Sequence, residues 1–151
     1  MTVKNFKELE IWKEARRLTG EMYRFTRHSR FSKDFRLSGQ IQAASVSIMS
    51  NIAEGFERGG NQEFTQFLYI AKGSCGEVRS QLYVALDQQY AEPKQAENLI
   101  ESLKLLSTMI SNLIEYLKNS GMKGSKFNGA NRPSRSSRSR IEKHPATQLQ
   151  S

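Results

Sequence analysis

The chain has 151 residues, a net charge of +8, one cysteine and three prolines, a size that suits one domain with a real core. No apolar run approaches the roughly 18 residues needed to span a membrane, and the charged stretch from Lys4 onward has no signal-peptide core. A cytoplasmic protein with no membrane partner is the expectation, and the lone Cys75 excludes an internal disulfide, which fits a reducing compartment.

The charge is unevenly placed. Gly121 to Ser151 holds seven Lys/Arg against one acid, whereas residues 1–120 hold sixteen against fourteen. Within that body, Lys4 to Arg36 has ten basic and five acidic residues, so the remainder is net acidic. Such asymmetry points to a polyanionic partner.

Taken in chain order, four long segments have apolar residues at i+3 and i+4, and none alternates like a strand. The first helix is expected from about Asn5 to His28, with Phe6, Leu9, Ala15, Leu18, Met22 and Phe25 on one side. The second is expected from about Lys33 to Glu57, with Leu37, Ile41, Ala44, Ile48 and Ile52. Gly59-Gly60-Asn61 then breaks the helix, with Asn61 as a candidate N-cap. The third runs to about Gln89, with Phe64, Phe67, Leu68, Ala71, Cys75, Val78, Leu82 and Leu86 inward. Pro93 suits the first turn of the fourth, which carries Leu99, Leu103, Leu106, Ile110, Leu113 and Leu117. Long helices with short connections predict an all-α, antiparallel up-down four-helix bundle over residues 1–120. Residues 121–151, rich in Ser, Arg, Gly, Asn and Pro, lack the apolar content to offset ordering entropy and read as a disordered basic tail.

The stretch "SVSIMSNIAEGFERGG" places Asn51 and Glu54 near the end of the second helix. With Ile41 at zero on a helical wheel, Gln40, Ser47, Asn51 and Glu54 fall roughly 80° to 140° to one side of the apolar stripe. On the third helix Ser74, Glu77 and Gln81 occupy the same-handed flank. Folding at Gly59-Gly60 brings the two polar columns together as a seam, with Ser47 near Ser74, and Gln40 near Glu77 and Gln81. Polar groups beside a core must be paired, and pairing sets register, so the seam reads as structural. A catalytic role for Glu54 and Glu77 wants a pocket and a second placed group, and the sequence offers neither. No catalytic residue, cofactor or metal is assigned. His28 has no glutamate three residues before it, as a Glu-x-x-His metal site requires, and His144 lies in the tail. Gly55, Gly59 and Gly60 follow a helix rather than a strand, unlike a phosphate-binding loop. Cys75 sits on an apolar face as a small core residue.

"FKELEIWKEA", "LSGQIQAASVSIMSNIAEG" and "EFTQFLYIAKGSCGEVRSQL" resemble the bacterial four-helix-bundle proteins encoded in 23S ribosomal RNA intervening sequences, over about Val3 to Lys118. The group is also similar to the accessory protein of diversity-generating retroelements. Ser47-Ile48, Asn51 to Gly55, and Ala71 with Gly73-Ser74 carry the resemblance. Family members often have proline where Met49 and Ser32 stand, and glycine where Arg36 stands, which implies a straighter second helix with a different start. The resemblance implies a non-enzymatic bundle, often a ring of five, with a nucleic-acid role.

Two surfaces remain. Lys13, Arg17, Arg24 and Arg27 form a basic stripe on the first helix, extended by Arg30, Lys33 and Arg36 and by tail residues Arg132, Arg135, Arg138 and Arg140. A solvated face is the bland reading; RNA or DNA binding is the sharper one. Tyr69, Gly76 and Tyr83 on the third helix and Leu105, Met109 and Tyr116 on the fourth form a second apolar face, expected to be a homo-oligomer interface. The competing readings are an adaptor whose partner is a protein, such as a reverse transcriptase or a ribosomal component, and an enzyme for which no chemistry is placed.

Overall fold

The computed structural model describes residues 3–127, which form an all-α bundle of four long helices and one short one, with no strand among the described residues. The elements are a 3-10 turn at Phe6–Glu8, α1 at Glu10–Thr26, the one-turn α2 at Ser29–Ser32, α3 at Phe35–Glu57, α4 at Asn61–Asp87 and α5 at Pro93–Phe127. The helices pack up and down in sequence, most extensively α3 on α4, then α4 on α5 and α1 on α3, with α1 on α5 a smaller contact. The core joins Leu18, Met22 and Phe25 of α1 to Ile41, Ile48 and Ile52 of α3, Leu68 and Leu82 of α4, and Leu103, Leu106 and Ile110 of α5.

Several boundaries differ from the sequence pattern, each for a local reason. The first helix is interrupted. Asn5 accepts from Lys7 N, Glu8 reaches back to Asn5 N, and Leu9 is extended at φ −70°, ψ 128°, so the first turn closes separately and α1 starts at Glu10. The second helix begins at Phe35 rather than Lys33, because Asp34 caps it by accepting from Leu37 N at 3.1 Å. Asn61 is not the cap of α4. Gly60 holds that position in extended backbone after Gly59 at φ 84°, and Asn61 is the first helical residue. The last helix runs to Phe127, past the expected boundary at Ser120. Glycine lowers helix propensity at Gly121 and Gly124 but removes no backbone donor, and the next proline is Pro133.

The α3–α4 hairpin is the tightest part. A Cβ added to Gly55 would lie 2.6 Å from Phe67 Cβ and 3.1 Å from Phe64 Cδ1. Arg58 bridges the turn, with Glu54 at 3.4 Å and Glu63 at 3.6 Å, and its guanidinium lies over the Phe67 ring. Two polar bonds tie α1 to α3: Thr19 Oγ1 donates to Ser45 O at 3.2 Å, and Gln42 Nε2 to Thr26 Oγ1 at 2.9 Å. At the far end α4 stops in a Schellman pattern, Tyr90 N to Ala85 O and Gln89 N to Leu86 O, with Gln89 at φ 58° where glycine is usual.

Gly55→Ala forces α3 away from α4 against backbone-proximal atoms. The expected loss is about 1–3 kcal/mol, read as a lower urea midpoint; an unchanged midpoint would show that the two helices separate freely there.

Candidate functional site

The basic residues singled out from the sequence divide into two groups. Lys13 is paired with Glu10 at 3.3 Å. Arg17 lies between Glu14, which its Nε contacts directly, and Glu21 at 3.3 Å. The Glu14 hydrogen bond, against a smaller opposing effect of burial, pushes the Arg17 pKa up, so its charge is fixed but largely cancelled locally. Arg24, Arg27, Arg30, Lys33 and Arg36 are all exposed, with no carboxylate within ion-pair distance among the described residues. They occupy one corner of the bundle: the last turn of α1, α2 and the start of α3. Tail residues Arg132, Arg135, Arg138 and Arg140 lie outside the described residues.

An inner frame holds this corner. Phe31 is fully buried, its ring 5.4 Å from Phe25 and 5.3 Å from Tyr90. Tyr90 Oη donates to Asp34 Oδ2 at 3.0 Å while Asp34 Oδ1 caps α3. The Asp34 hydrogen bond raises the Tyr90 pKa, and Arg30 opposes the shift, which places the Arg30 charge within reach of the pair. Asp34 is the only acid in the Lys4–Arg36 segment beyond Glu21, and its carboxylate is engaged inward. Next to it, Phe35 is 82% exposed. A shallow groove of about 280 Å³ lies beside the corner, between Arg17, Glu21 and Arg24 of α1 and Gln95, Asn98 and Ser102 of α5. The Arg24 guanidinium reaches back over Gly20, where an added Cβ would sit 3.7 Å from Nη1.

The two polar columns meet at one point. Ser47 Oγ and Ser74 Oγ are 3.0 Å apart, and Asn51 Nδ2 donates to Ser47 O at 2.8 Å and to Ser47 Oγ at 3.0 Å. The other expected pairings do not form. Gln40 and Glu77 are exposed, no hydrogen bond links Gln40 to Glu77 or Gln81, and Gln81 Oε1 is buried without a partner among the described residues. Glu54 faces Arg58 on its own helix instead of α4.

The expected second apolar face is in fact two. Tyr69, Gly76 and Tyr83 lie on the side of α4 turned toward α5, where Lys118 Nζ donates to Tyr69 Oη at 2.9 Å. Leu105 and Tyr116 lie on the other side of α5, toward α1, and Tyr116 borders a groove of about 490 Å³ with Val3 and Leu9. Met109 is half-buried against the core, because it stands only about 80° from the apolar stripe. Tyr83 is 55% and Leu105 66% exposed. That larger groove has no carboxylate, amine, imidazole or thiol among the described residues that line it. No group of three His, Cys, Asp or Glu among the described residues could hold a metal, and no helix there is long and apolar enough to cross a membrane.

Glu54 and Glu77 are both exposed, and Glu54 pairs with Arg58. The chain belongs to the 23S rRNA-intervening sequence protein family, whose sequence pattern matches residues 7–112. It is similar in fold to a protein of unknown function from the S23 ribosomal protein family of Bacteroides thetaiotaomicron, with a TM-score of 0.63 at 20% identity, over 69% of this chain and 97% of that one. No curated protein matches the chain.

Cys75 illustrates how closed the interior is. Burial pushes its thiol pKa up to about 11, against weaker opposing effects of Arg79 and Lys72. A higher pKa means less thiolate, so reactivity near pH 8 drops by roughly two orders of magnitude. Iodoacetamide is expected to leave Cys75 unmodified in the native protein and to label it in urea; rapid native labelling at pH 8 contradicts this packing.

Proposed function

We propose that the protein is a non-enzymatic, oligomeric helical module that binds RNA or DNA through the corner formed by Arg24, Arg27, Arg30, Lys33 and Arg36. The observation that carries this reading is the absence of acid partners among the described residues at those five side chains, while Lys13 and Arg17 are each matched by glutamates. Uncompensated cations on a fixed frame can neutralise phosphates and release the counterions condensed on a nucleic acid. No helix-turn-helix or zinc-finger pattern is present to read base edges, so contacts go mainly to phosphate and shape. Tail residues Arg132, Arg135, Arg138 and Arg140 add charge to the same partner.

The test is salt-dependent filter binding. Log K is expected to fall linearly with log salt, and Arg24→Glu with Arg27→Glu to weaken RNA and DNA alike, with a slope shallower by roughly 2. Lys13→Glu, at an already paired position, has the smaller effect. No affinity for either nucleic acid at low salt hands the site to the adaptor reading, in which the partner is a protein.

Self-association is the second element, supported by the exposed Tyr69, Tyr83, Leu105 and Tyr116. Because these flank α5 on two sides, one copy presents two different surfaces, the arrangement a closed ring needs; a ring of five is the form the family resemblance implies. Light scattering should give a mass several times 17.3 kDa, and Tyr83→Glu or Leu105→Glu should lower it. A monomer at micromolar concentration removes this element.

A further inference from the structure

We propose that Phe35 is a stacking platform for an unpaired nucleobase, with Arg30, Lys33 and Arg36 engaging the phosphates around it. This rests on the nucleic-acid reading above and names the form of nucleic acid the corner takes. Phe35 is the most exposed large apolar side chain among the described residues, at 82%. It stands on α3, not on the α4 and α5 surfaces assigned to self-association. Nearby in the chain, Lys33 and Arg36 have no acid partner among the described residues, and Asp34 between Lys33 and Phe35 has both carboxylate oxygens engaged, by Leu37 N and Tyr90 Oη. The charge around the ring is therefore positive, complementary to a nucleotide and unfavourable for a second copy of the same basic corner.

The platform is also held in place. Four residues earlier, Phe31 is fully buried between Phe25 and Tyr90, so one phenylalanine anchors the segment and the other is presented by it. An aromatic ring accepts any base face, which suits a surface with no base-edge readers. In a duplex those faces are covered by neighbouring bases, so the platform favours loops, bulges and single strands.

The experiment compares a short single-stranded RNA with a fully paired one of equal length, by fluorescence anisotropy at low salt. Phe35→Ala should weaken the single strand by about 5- to 150-fold and leave the duplex unchanged, while Phe35→Trp restores single-strand binding. The side chain is exposed, so circular dichroism and mass by light scattering should match those of the unaltered protein. Equal single-strand affinity in Phe35→Ala overturns the stacking role alone, provided Arg24→Glu with Arg27→Glu still weakens binding. A fall in oligomer mass on Phe35→Ala assigns the ring to a subunit contact and overturns it too. If the unaltered protein binds neither RNA, this proposal and the reading beneath it both fail.

Discussion

The approach of α3 to α4 at Gly55 constrains the rest of the bundle. With only 2.6 Å between a would-be Cβ and Phe67 Cβ, the two backbones leave no room for a side chain at that point. Beyond it, Ser47 and Ser74 are small enough to meet oxygen to oxygen at 3.0 Å. Larger residues at any of these three positions would widen the pair and tilt α3. Since α1 packs on α3 and α5 on α4, the tilt would pass to both outer helices. The short hairpin turn, clamped by Arg58 between Glu54 and Glu63, sets the register, and the small residues set the separation.

At the other end of α3 the problem is different, because a charged corner has to be held against the core formed by Phe25 and Phe31. Asp34 does two things there: one oxygen caps α3 and the other accepts from Tyr90. Tyr90 reaches it because Gln89 adopts a left-handed conformation that a side chain disfavours by about 1 kcal/mol. That local strain is offset by the contacts it allows, since Tyr90 also packs on Phe31. The frame turns an acid and an aromatic inward and leaves cations and Phe35 outside.

The periodic parts of this fold were legible in the sequence. Apolar residues at i+3 and i+4 repeat over each long helix, and burial follows them at Ile41, Ile48 and Ile52 and at Leu68, Ala71, Cys75 and Leu82. Local chemistry that competes with periodicity was less visible. The Asn5–Glu8 capping box breaks a run that continues by pattern alone, and Asp34, three residues before Leu37, is a cap signal that the apolar periodicity of a longer helix masks. Phe31 and Phe35 are the same residue type four positions apart; only the α2 turn between them and the cap decides which is buried. A helical wheel also places residues around one helix without saying which neighbour each flank meets. For that reason Tyr83 and Leu105 read as one face when they lie on opposite sides of α5.

Counting charges hides the same kind of geometry. Lys4 to Arg36 has a surplus of basic residues, but the acids that offset them are not spread evenly. Glu10, Glu14 and Glu21 sit one turn from Lys13 and Arg17, where i,i+3 and i,i+4 spacing brings opposite charges together. Exposed pairs of this type add little stability, yet they remove their cations from the long-range field. After Glu21 no acid follows until Asp34, which is turned inward. Apart from Arg16, whose guanidinium lies over Trp12, the positive potential of the first helix thus falls in its last turn and the segment after it, where α1 ends and the backbone carbonyls there also favour cations. A partner drawn by charge meets this corner first and, with it, Phe35, the most exposed aromatic ring among the described residues.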